Sequence, residues 1–286
     1  MKRLHRTQYL FRLASLMAMA TMVAACGGSD DGPAAPSPAP SPAPAPGPAP
    51  APAPGPAPSP SPSPAPAPTA GAASECLNPA QLASGTQYQL DYAVSGALTG
   101  TSSTTGNVGA ATTFNGHANV MPITQTVVTN YTAPVAVQAT VSMTAYQSID
   151  GFDILSYGSV GTVSVPMLGS IETRIVYNPP VRDKRFTLAA LGSYTIDQSA
   201  TTTVTPPGTS QSTTGSTTVT FSGQESVTVP AGTYTTCKFH ESTAGATTTL
   251  WIIKGKGVLA RSVSPSSAGE VVLQLQGSSR LNGAAI

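Results

Sequence analysis

The chain has 286 residues, 28 of them Pro and 27 Gly, with 9% charged and 6% aromatic. Few charges and few aromatics exclude a coiled coil, a nucleic-acid binder and a charged disordered chain. Of the prolines, 18 fall between residues 33 and 68, so a domain of about 210 residues, enough for one sizeable core, follows an unusual stalk.

Lys2, Arg3, Arg6 and Arg12 open the chain with no acid to balance them, and residues 13–25 are uncharged and mostly apolar. Such a run is shorter than the roughly 20 residues that span a bilayer, and it suits the centre of an export signal. It closes on Val23-Ala24-Ala25-Cys26, small residues directly before a cysteine. This arrangement resembles the bacterial lipoprotein signal. The resemblance implies cleavage after residue 25, lipidation of Cys26 and a membrane anchor at residues 26–32. Gly27, rather than aspartate, implies the outer membrane.

Residues 33–75 read as a linker in which Pro alternates with Ala, Ser or Gly. Each proline fixes φ and removes a donor, so neither helix nor sheet is expected. The 33–68 portion, in polyproline II at about 3.1 Å per residue, would reach up to roughly 110 Å. It would hold a domain above a surface polymer layer, or serve simply as a linker without sticky residues.

Residues 76–286 read as one all-β, antiparallel domain: a meander, an open half-barrel or a sandwich. After a short helix near residues 78–83, alternation of period two dominates. Tyr88, Leu90, Tyr92 and Val94 oppose Gln87, Gln89 and Asp91. In the row 135–145, Val135, Val137, Ala139, Val141, Met143 and Ala145 oppose Ala136, Gln138, Thr140, Ser142 and Thr144. Ile171, Ile175 and Tyr177 alternate with Glu172 and Arg174, and Val271, Leu273 and Leu275 with Gln274 and Gln276. Strand-like runs recur between turn residues, and no helical period argues for βαβ units. A transmembrane barrel would alternate too, but the Thr/Ser runs at 99–105 and 199–220 hold too few apolar residues for a lipid face.

Thirteen basic residues, four of them in the signal, leave nine against twelve acids after cleavage. Between Arg12 and Arg174 there is no Lys or Arg, so no cationic face for nucleic acid is expected. Arg182-Asp183-Lys184-Arg185 reads as a solvated turn. With Cys26 lipidated, Cys76 and Cys237 form an even pair that suits a disulfide in an oxidising compartment. Two separate thiols are the alternative, since nothing in their spacing brings them together.

Residues 223–264 hold a more particular string: Val227-Thr228-Val229-Pro230-Ala231-Gly232, then Cys237, Trp251, Gly255 and Gly257. Pro230 and Gly232 suit a turn, Gly255 and Gly257 another, and Trp251 a core anchor. The string resembles uncharacterised envelope proteins of Gram-negative bacteria, secreted or lipidated. The usual Tyr-Ala-Pro after the tryptophan is here Ile252-Ile253-Lys254. Some of those proteins are thought to share the curved half-barrel of lipoprotein carriers, which implies a concave face for acyl chains.

No spacing of His and Cys suits a zinc site, and no nucleophile elbow, phosphate loop or dinucleotide pattern is present. Asp150-Gly151-Phe152-Asp153 offers two carboxylates but reads better as a turn than as a calcium loop. No cofactor, metal or catalytic residue is expected. The function expected is a non-enzymatic, outer-membrane-anchored lipoprotein with a structural or interaction role, its partner an envelope protein or surface polymer. The alternative is a carrier of a lipid or other apolar ligand, and the third reading is an envelope hydrolase.

Overall fold

A computed structural model describes residues 71–165, 169–205 and 208–286. Residues 1–70, which include the expected signal, Cys26 and the proline-rich run, lie outside the described residues. Fifteen strands follow two short 3₁₀ turns, Ala73–Cys76 and Pro79–Leu82. They are β1 (Gln87–Gly96), β2 (Thr99–Val108), β3 (Thr112–Phe114), β4 (His117–Ala133) and β5 (Val137–Asp150). Next come β6 (Asp153–Val165), β7 (Gly169–Asp183), β8 (Ser193–Thr205), β9 (Thr209–Val229) and β10 (Gly232–Thr243). The last are β11 (Ala246–Ile253), β12 (Leu259–Ser266), β13 (Gly269–Leu275), β14 (Arg280–Leu281) and β15 (Ala284–Ala285).

Each main strand pairs antiparallel with the next in sequence, and β13 pairs back onto β1 from Tyr92↔Leu275 to Gly96↔Val271. The sheet therefore closes into a 12-stranded barrel. The expectation of a single antiparallel all-β domain holds, and the meander closes rather than staying open. Closure removes both sheet edges, which a half-barrel would leave exposed. Ala73 is fully buried, and the first 3₁₀ turn, Ala73–Cys76, packs with the barrel. The expected helix near 78–83 is the 3₁₀ turn Pro79–Leu82, begun by Asn78, whose side chain accepts from the Ala80 N–H.

Register carries one face around the whole ring. Tyr92 lies opposite Ser102, which lies opposite Thr129, then Ala139. On the far wall Leu273 lies opposite Ser262, then Leu250, Phe239 and Phe221. These residues are buried and face inward. The opposite face is paved with Thr and Ser, many joined across strands: Thr124 to Thr144 at 3.1 Å, Thr203 to Ser210 at 2.8 Å, Ser242 to Thr247 at 2.8 Å. A bilayer-spanning barrel needs an apolar band outside. Here the polar face is outside and the apolar face inside, the arrangement of a barrel in water.

Two irregularities shape one end. Ser222 is bulged out between Phe221 and Gly223, and Ala260 between Leu259 and Arg261. A bulge sharpens twist and bends its strand. Beyond Ser222, β9 and β10 run on past the ring, and their turn bends over the rim. Ala231 N–H donates to the Leu275 carbonyl at 3.0 Å, although β9 and β13 are four strands apart. Val227 and Val229 thus pack in one cluster with Tyr92, Leu275 and Val258.

Candidate functional site

The end reached by β9–β10 is closed by several segments. Cys76 and Cys237 form a disulfide, with Cα atoms 6.1 Å apart. The N-terminal segment then crosses the rim. Gly255 N–H donates to the Glu75 carbonyl at 2.7 Å, and Gln81 Nε2 to the Lys256 carbonyl at 2.6 Å. On the far side Gly85 N–H reaches the Val108 carbonyl at 2.8 Å. Lys254 Nζ lies 2.8 Å from Glu75 Oε1, and its hydrogen bond, with that of Gln224, holds the exposed Glu75 carboxyl below its ordinary value. Gly257 has φ +66, a left-handed conformation that favours glycine. Within residues 223–264, Cys237 and the Gly255–Gly257 turn thus hold the N-terminal segment over the rim, while the hairpin packs against the Leu275 end of β13.

Beneath this cap lies an ionic cluster. Arg185, 6% exposed, comes from the 3₁₀ turn Arg185–Thr187. Its Nη2 lies 2.6 Å from Asp183 Oδ2 and 2.7 Å from Glu241 Oε1, and Tyr194 Oη donates to Asp183. Burial disfavours every charge here. For Asp183 that burial is outweighed by the charge and hydrogen bonds of Arg185, the Tyr194 hydroxyl and the Arg185 N–H, so its carboxyl stays below the usual value. Burial pushes the Tyr194 phenol up, and Asp183 beside it pushes further. The expected solvated turn at 182–185 is corrected: Arg185 is a buried, paired cation. Arg182 is exposed but bridges Asp150 at 2.8 Å and Asp153 at 2.7 Å, so a guanidinium occupies the place a calcium ion would need.

Trp251 is buried, as a core anchor should be, yet two cations bracket it. Lys238 Nζ stands 5.3 Å from its ring and the Arg261 guanidinium 5.0 Å, while its indole N–H donates to Glu225. Strand β11 is buried on both faces, Leu250 and Ile252 in one cluster, Trp251 and Ile253 in the other.

Away from the cap the interior changes. On β5–β8, Val137, Val141, Val163, Thr173, Thr202 and Val204 face inward by register yet are only half-buried. Nearest the rim, Ile171 is 48% and Val135 56% exposed. A 12-stranded ring is wider than the roughly eight strands whose inward side chains alone fill the interior. The wall of β5–β8 carries the inward rows expected over 171–177 and, from Val137 on, over 135–145, while Val135 falls in the bend before β5.

The two histidines of the domain stand apart. His117 is exposed beside Tyr157, and His240 Nδ1 lies 3.1 Å from Thr249 Oγ1. Among the described residues, no group of three or more His, Cys, Asp or Glu is placed to hold a metal, and no helix is long and apolar enough to cross a membrane. Comparison with known proteins adds no relative: no protein-family model, curated protein or solved structure matches the chain. The Asp183–Arg185–Glu241 cluster carried no sequence signal beyond its charges, since Glu241 lies far along the chain from the other two.

Proposed function

We propose that this protein is a lipid-anchored envelope protein, held at the outer membrane through Cys26, whose barrel binds an apolar ligand such as an acyl chain. The reading is non-catalytic. The observation that carries it is the row of inward, half-buried Val141, Val163 and Val204 on the wall away from the cap. Aliphatic side chains facing into a barrel gain free energy when water leaves them, about 25 cal/mol per Å² covered. The hydroxyl-covered outer face keeps the barrel in water while it holds such a ligand. The lipoprotein-like signal and the proline-rich stalk support an anchor with a long reach.

The test is native mass spectrometry on the exported chain carrying Cys26→Ala, purified without detergent. A co-purifying mass that extracts into organic solvent is expected, and Val163→Asp should remove it. A clean apo mass across preparations would favour a second reading, a tethered structural or interaction protein, for which the outer Thr/Ser ladders argue. The anchor is tested separately: labelled palmitate should enter the native chain and not Cys26→Ser.

A further inference from the structure

The outer face of β1, β2 and β4 departs from the rest of the barrel surface. Near the start of β1 it is indented by a shallow dent of about 570 Å³. Register lays two polar rows across its three strands. Gln87 lies opposite Asn107, and Asn107 opposite Thr124; Gln89 lies opposite Thr105, and Thr105 opposite Thr126. Elsewhere on the outer face hydroxyls pair across strands, as Thr124 and Thr126 do with Thr144 and Ser142 on the side toward β5. In the dent, by contrast, the side chains of Gln87, Thr105 and Asn107 make no hydrogen bond to the described residues. Their amides and hydroxyl supply both donors and acceptors.

Two features shape the dent. Gly106 forms part of its floor, and a Cβ there would lie 2.5 Å from the Tyr88 ring, which crosses Gly106 on the inner side to place its hydroxyl 3.1 Å from Gln125 Oε1. The hairpin of β14 and β15 pairs with Tyr88 and Gln89 and raises the other wall. From it comes Arg280, the one charged residue lining the dent. Its Nη1 donates to the Gly277 and Ser279 carbonyls, which fixes the guanidinium at the rim with Nη2 uncommitted. Asp91, whose carboxyl feels the Arg280 charge, is held by Ser103 at 2.6 Å, Ser278 at 2.7 Å and Gln89 at 3.0 Å.

We propose that this dent binds a short acidic saccharide of the uronate type. Its hydroxyls would meet the two polar rows, where paired donors and acceptors suit vicinal hydroxyls, and its carboxylate would meet Arg280, whose planar fork matches a carboxylate. A volume of several hundred Å³ is that of a small-ligand site. The site is independent of the barrel interior.

Calorimetric titration of the full-length chain with trigalacturonate, and with neutral maltotriose as control, tests it. Trigalacturonate is expected to bind, with maltotriose about tenfold weaker. Arg280→Gln should weaken trigalacturonate about tenfold and leave maltotriose unchanged, while Thr105→Val should weaken both by a few-fold. No heat with trigalacturonate at millimolar concentration would overturn the proposal, as would unchanged affinity in Arg280→Gln with a native circular dichroism spectrum.

Discussion

At the capped end, Phe221, Phe239, Leu250 and the disulfide are fully buried, and buried Arg185 is paired with Asp183 and Glu241. On the wall of β5–β8 beyond it, Val141, Val163 and Val204 face the same interior half-covered, among threonines. The same inward register thus builds two environments. One is filled by extra segments brought in from both chain ends, and the other has only the barrel wall. Stability should reside in the first and adaptability in the second, because closely packed side chains tolerate little change in volume.

That contrast can be broken by measurement. Removing the disulfide with Cys76→Ser and Cys237→Ser together should have the largest effect. The bridge closes a separation of 161 residues, and its loss should cost up to about 5 kcal/mol in urea unfolding. Phe239→Ala should cost about 3–5 kcal/mol. Val163→Ala, at the half-buried wall, should cost less than about 1 kcal/mol. Equal costs for the last two would erase the distinction between the two regions.

Charge sharpens it further. Glu241→Gln leaves buried Arg185 with Asp183 as its remaining carboxylate, and should cost about 1–3 kcal/mol. Because Asp183 is held below its unfolded value of about 3.9, its contribution is present above that pH and is lost as pH falls through the folded value. Unfolding midpoints should therefore drop in that acidic range, and Asp183→Asn should flatten the drop. His240 gives the smallest effect. Burial, then Lys238, holds its pKa below about 6.5, so stability should decline as pH falls below that value toward the folded one. His240→Gln should remove the decline.

Much of the wall was legible because alternation is a local property. The rows Tyr88–Val94, Val137–Ala145, Ile171–Tyr177 and Val271–Leu275 face inward as their period implies. The turns at Pro230–Gly232 and Gly255–Gly257 were legible for the same reason, their φ demands being written in residue type. What stayed hidden depended on residues far apart in sequence. The closing ladder joins Tyr92 to Leu275, and Arg185 meets Glu241 across the interior. Nothing local to Arg182-Asp183-Lys184-Arg185 distinguishes a buried cation from a solvated one. The cations around Trp251 were equally invisible, since β11 and its neighbours had first to be aligned.

The β1–β13 ladder also dictates an order of events. Between β4 and β13 each strand pairs with its immediate predecessor, so hairpins can form as the chain emerges, by closing short loops. The ring itself cannot shut until Val271–Leu275 has been made. Until then β1 presents one unpaired edge and the newest strand another, both able to join a neighbouring chain. The disulfide can form earlier, once Cys237 has emerged, and would hold the N-terminal segment beside β10 while β11–β13 are added. Folding of this barrel thus ends with a single long-range docking of its last full-length strand onto its first.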